Sequence, residues 1–68
     1  MNAAMLKGRL RELSMTQADA AQSIGLSLSN FNKKLNGTRN AEFSLGEVRA
    51  LSEALQLDFT QVEKIFFS

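Results

Sequence analysis

The side chains able to do chemistry in this chain are few, and their types narrow the field. Cysteine and histidine are absent from its 68 residues, which removes thiol nucleophiles, imidazole bases, zinc sites and haem ligation together. The carboxylates are scattered among helix starts and exposed positions, and Gly25 and Gly37 read as turn residues rather than a phosphate-cradling loop. No enzyme is expected, and no metal or cofactor is called for. What remains is hydrogen bonding. Ser29, Asn30, Asn32 and Lys33 lie within five residues of one another with no acid between them. Asn can pair with adenine N6/N7, and Lys can donate to guanine O6/N7.

Charge points the same way. The net charge is +1, but its distribution is uneven. Residues 1–40 carry Lys7, Arg9, Arg11, Lys33, Lys34 and Arg39 against Glu12 and Asp19, a net +4. Residues 41–68 carry Arg49 and Lys64 against Glu42, Glu47, Glu53, Asp58 and Glu63, a net −3. This reads as one surface facing a polyanion and an acidic side turned away from it, with chance clustering as the plain alternative.

The elements that must hold these groups are short helices in one small domain, residues 1–68. There is no Pro, Trp or Tyr and only four Gly, a composition suited to helices. Apolar runs fall far below the ~20 residues of a membrane helix. The opening MNAAMLKGRL lacks a signal-peptide core, so a cytoplasmic location is expected. Leu6, Leu10 and Leu13 predict a first helix over about residues 2–13. Thr16, with Asp19 behind it, caps a second, which Gly25 ends and in which Ala20, Ala21 and Ile24 face inward. Ser27 caps a third that runs to Asn36 and stops at Gly37. After a loop at 37–43, Ser44 and Glu47 form a capping box for a fourth helix with the stripe Leu45, Val48, Leu51, Leu55. Asp58 or Thr60 caps a fifth, with Phe59, Val62, Ile65 and Phe66 on one face.

Residues 16–36 therefore read as a helix, a tight turn and a helix. Ala21 is small where the two helices cross, and Gly25 permits positive φ at the turn. Leu26 can plug the space beneath it, while Phe31 and Leu35 anchor the second helix at i and i+4. The segment TQADAAQSIGLSLSNFNKKLNGTRN resembles, without gaps, the helix-turn-helix of the Cro and repressor family of phage and bacterial regulators. The resemblance rests on Thr16-Gln17, Ala21, Gly25 and Leu35-Asn36-Gly37, and with the two later helices it covers essentially the whole chain. The ending LQLDFTQVEKIFFS is similar to small repressor-like or antirepressor-like proteins of temperate phages. The resemblance implies an all-α, five-helix, lambda-repressor-like fold and double-stranded DNA as partner.

Two departures from the family pattern stand out. The connection between RLREL and TQ is short, which leaves the register of Lys7, Arg9 and Arg11 on DNA open. Leu28 occupies the first recognition-helix position, where phage relatives often place Gln.

Projected at roughly 100° per residue, Phe31 and Leu35 define the buried side of the third helix. Ser29, Asn30, Lys33 and Asn36 cluster opposite, with Asn32 and Lys34 on the two flanks. Base readout is assigned to Ser29, Asn30, Asn32 and Lys33, and Leu28 to either a thymine methyl or, slightly favoured, the core. Phosphate contacts are assigned to Gln17, by the resemblance, and to Lys34, Asn36, Thr38, Arg39 and Asn40. Adjacent aromatics on a terminal helix cannot both enter one small core, so Phe66 and Phe67, with Phe67 exposed, are assigned to a dimer or partner interface.

Two functions fit. One is a sequence-specific regulator, a Cro-like repressor binding a palindromic operator as a homodimer. The other is an antirepressor or modulator that binds another regulator protein.

Overall fold

The computed structural model describes residues 1–67 and contains five α-helices among them. They are α1 (Ala3–Glu12), α2 (Gln17–Ser23), α3 (Leu28–Asn36), α4 (Leu45–Ala54) and α5 (Phe59–Phe66), with a single 3₁₀ turn at Thr38–Asn40. The chain is all-α, as its composition and capping residues imply.

Each start is closed by a side chain. Asn2 accepts from Met5 N–H at 3.0 Å, and Ser27 from Asn30 N–H at 3.1 Å. Thr16/Asp19, Ser44/Glu47 and Asp58/Gln61 form complete capping boxes. Asp58, not Thr60, caps α5. Each such cap contributes about 1 kcal/mol by occupying an otherwise unpaired N–H.

The helix ends are equally regular. α1, α2 and α4 all finish with the same pair of backbone bonds: Met15 N–H to Leu10 C=O, Leu26 N–H to Ala21 C=O and Leu57 N–H to Ser52 C=O, each 2.9 Å, and inside them Ser14 N–H to Arg11 C=O and Gly25 N–H to Gln22 C=O at 3.1 Å and Gln56 N–H to Glu53 C=O at 3.3 Å. In every case one left-handed residue makes the turn: Ser14 (φ 55), Gly25 (φ 75) and Gln56 (φ 54). This is the Schellman closure, in which the residue after the left-handed one folds back as an apolar lid. Met15, Leu26 and Leu57 fill that role and pack on the core.

That core is Leu6, Leu10, Ala20, Ala21, Phe31, Leu35, Leu51, Leu55 and Ile65. Ala20 and Ala21 are fully enclosed, so a larger side chain at either position would push α3 or α4 outward. Two members of the expected apolar stripes lie elsewhere. Leu45 is 78% and Phe59 82% exposed. Each is the first residue of its helix, and its neighbours Ser44 and Gly46, or Asp58 and Thr60, are exposed as well. Periodicity selects the face of a helix but not how far the neighbouring elements extend along it. Ile24 is half-buried and packs at the edge of the core.

Arg9 ties α1 to the end of α4. Its Nε donates to Leu55 C=O at 3.0 Å and its Nη2 to Gln56 C=O at 3.3 Å. A guanidinium there both satisfies end carbonyls and meets the negative end of the helix dipole. No helix among the described residues is long and apolar enough to cross a membrane.

Candidate nucleic-acid interface

Phe31 and Leu35 are buried, which fixes the roll of α3 about its axis and presents the opposite face to solvent. Ser29, Asn30, Lys33 and Asn36 are exposed on that face, as the helical projection requires. Asn32 is half-buried on its flank. Leu28 is 44% exposed, so the favoured core placement does not hold. It is the first residue of α3 and lies outside the core cluster, although it projects towards the Phe31/Leu35 side of the helix. Among the described residues, Lys33 makes no ion pair.

The turn following α3 extends this surface. Gly37 (φ 66) stops the helix in the left-handed conformation, and Arg39 (φ 53) and Asn40 (φ 62) adopt it again. For a residue with a Cβ that conformation costs about 1 kcal/mol or more. The tight 3₁₀ turn that results leaves Thr38, Arg39 and Asn40 all exposed, and among the described residues Arg39 makes no ion pair. Short hydrogen-bonding groups around an exposed guanidinium suit phosphate oxygens.

Gln17 is the first residue of α2 and lies half-buried. It lines a shallow depression with Lys7, Leu10, Arg11 and Met15. The three basic residues of α1 therefore divide. Lys7 and Arg11 flank Gln17, whereas Arg9 turns to the far end of α4 and also approaches Glu12 at 3.8 Å.

Lys34 has a partner that sequence spacing does not reveal. Its ammonium donates to both carboxylate oxygens of Glu47, each at 2.7 Å. Glu47 in turn accepts from Ser44 N–H at 2.9 Å as the second half of the α4 capping box. The Lys34 bond first, and the Ser44 N–H second, hold the Glu47 carboxyl below the ordinary carboxylate range. One acid of the acidic half thus folds back onto the basic half. The pair is 13 positions apart in the chain, and the packing of both α3 and α4 on α2 brings them together.

Phe67 is 61% exposed and Phe66 half-buried, as the adjacency of the two predicts. The rings continue a chain that begins in the core: Phe31 to Phe43 at 5.5 Å, Phe43 to Phe66 at 6.2 Å and Phe66 to Phe67 at 6.5 Å between centroids. The last three, with Val48 and the exposed Met1 and Leu45, form the apolar part of an open groove. Lys34, Asn36 and Asn40 line its other wall. The contributions of Leu45 and Met1 escape a reading by periodicity, because each becomes a surface group only where the folded chain leaves it uncovered.

A model of the Cro/C1-type HTH DNA-binding domain matches residues 5–66. No curated protein and no solved structure matches the chain.

Proposed function

The chain belongs to the family of Cro/C1-type HTH DNA-binding domains, and from that premise we propose that it is a sequence-specific transcriptional repressor acting as a homodimer on a palindromic operator. The observation that carries this reading is the outward face of α3, where Ser29, Asn30 and Lys33 stand exposed without a carboxylate among them. That face would enter the major groove, with Leu28 against a thymine methyl and Asn32 at the edge of the contact. Gln17, Asn36, Thr38, Arg39 and Asn40 would grip the phosphates on either side and set its register. A homodimer would place two such helices in successive major grooves about 34 Å apart. Occupying a promoter excludes polymerase, so repression follows without any chemistry.

The groove bearing Phe67 supports the second reading, a modulator that docks on another regulator protein through the same apolar surface. Selection from a random duplex library at about 150 mM salt separates the two, a concentration at which non-specific phosphate attraction is strongly reduced. A recovered palindrome that disappears with Ser29→Ala/Lys33→Ala is expected. Absence of any enrichment would favour the modulator.

A further inference from the structure

Glu47 is the least expected neighbour of the proposed DNA surface. A carboxylate beside a phosphate-binding face repels the ligand unless it has another task. Its position is fixed independently of Lys34. The Ser44 N–H at 2.9 Å and the return bond from Glu47 N–H to Ser44 Oγ at 3.1 Å lock it into the first turn of α4. The Lys34 ammonium reaches it there, gripping both oxygens at 2.7 Å across the junction of α3 and α4. Both side chains are largely covered, whereas Lys33 and Arg39, the other cations of this surface, stand open. The second ion pair involving α4, Arg49 with Glu53, is exposed and long at 3.8 Å. Of the two, only the Lys34–Glu47 pair has the short, shielded geometry that can compete with a phosphate.

Resting on the DNA-binding reading above, we propose that Glu47 is an internal counter-ion that withholds Lys34 from the DNA backbone and thereby limits the electrostatic, sequence-independent part of the domain's affinity for DNA. Non-specific binding is almost wholly a matter of counterions released by the cations that reach phosphates. Subtracting one such cation weakens binding to every sequence, while the hydrogen bonds of Ser29, Asn30 and Lys33 to bases are left in place. Affinity for DNA of any sequence, and its steepness with salt, is thereby held below what the cations of this surface could otherwise supply. Lys34 then serves as a strut between α3 and α4, and Lys33 and Arg39 carry the open charge at this end of the surface.

The test is Glu47→Gln, measured against random-sequence duplex DNA and against heparin over about 50 to 200 mM salt. Gln closes the capping box of α5 at the equivalent position, Gln61 with Asp58, so the cap of α4 survives the change. Releasing one cation should steepen the log–log salt slope by about 0.9, an additional loss of roughly 3.5-fold in affinity across that range. The variant should bind more tightly than wild type at the low-salt end, and adding Lys34→Gln should return the slope to its wild-type value. Glu53→Gln makes the same change in net charge at the other end of α4 and is the control. A slope unaltered by Glu47→Gln in a protein with the wild-type circular dichroism spectrum overturns the proposal. So does an equal steepening in Glu53→Gln, which would reduce the effect to net charge. The wild-type slope on DNA tests the DNA-binding reading separately, and if that fails the heparin comparison still decides whether Glu47 withholds Lys34.

Discussion

Lys33 and Arg39 are both exposed cations, six residues apart, and the proposed interface would use them differently. Lys33 rises from the middle of the outward face of α3, where a base edge would lie. Arg39 tops a turn held by left-handed backbone and meets only what comes alongside. Lys33→Ala should therefore relax base preference at one operator position and weaken the specific complex by about 1–3 kcal/mol. Arg39→Ala should weaken all sequences alike and flatten the salt slope by about one, as binding titrations at several salt concentrations would show. Identical effects of the two changes would sink the assigned roles. Arg9 is a cation with a third role, clasping the carbonyls that end α4. Arg9→Met should lower stability by about 1–2 kcal/mol, read from the urea midpoint, without altering the salt slope.

At the scale of the helix, the junctions hold most of the information. Ser14 and Gln56 occupy left-handed positions that glycine takes at Gly25. A Cβ there costs roughly 1–2 kcal/mol, while glycine gives back about 0.4–1 kcal/mol through the greater freedom of the unfolded chain. Gln56→Gly should therefore stabilise the fold by up to about 1 kcal/mol, seen as a higher denaturant midpoint with the slope of the transition unchanged. The helix starts carry a pH dependence. Asp19 is held below its ordinary pKa first by the Thr16 N–H and then by its hydroxyl, and Glu47 is held low as described above. Both groups release protons more readily folded than unfolded. Their contribution is thus fully present above the unfolded values and disappears as pH falls through the lower folded values. Stability should hold from pH 7 to about 5 and decline below about 4 to 4.5. Denaturant titrations at each pH should show a shallower acid limb in Glu47→Gln than in wild type.

Seen whole, the molecule has two distinct surfaces, the polar outward face of α3 with its following turn and the apolar groove ending at Phe67. They share an edge at Lys34, Asn36 and Asn40, which line the groove that Phe66 and Phe67 close on the other side. Two copies joined through the groove would hold their α3 helices in fixed relation, as a palindrome demands. Because Phe67 is already exposed, Phe67→Glu should leave the unfolding midpoint of the single chain nearly unaltered. It should convert a dimer to a monomer by light scattering and abolish the preference for a palindrome over one half-site. A dimer that persists in this variant would place the interface elsewhere.

How much of this could be read from the residues alone depends on the range of the forces involved. Capping side chains, the left-handed glycines and the i, i+4 pair Phe31/Leu35 act within one or two turns. Thr16, Ser27, Ser44, Gly25 and Gly37 therefore announce the helix boundaries, and the helix-turn-helix order with its outward Ser29, Asn30 and Lys33 follows. Left-handed Ser14 and Gln56 escaped that reading, since nothing in either residue type marks the conformation and only the apolar lids behind them enforce it. Periodicity placed Leu45 and Phe59 in the core because it fixes a direction around a helix axis. Whether a neighbour is present in that direction is decided by how the helices are staggered. The same holds for charge. Lys34 has the type and flank of a phosphate contact, and Glu47 has the type and spacing of a cap. Their bond exists because α3 and α4 both pack on α2, which brings the start of α4 near the end of α3, at a separation across which local propensity carries no signal. Local sequence determined the elements and the family motif. The tertiary structure decided which cations remain open, because ion pairing falls off steeply with distance and distance between helices is set by the packed core.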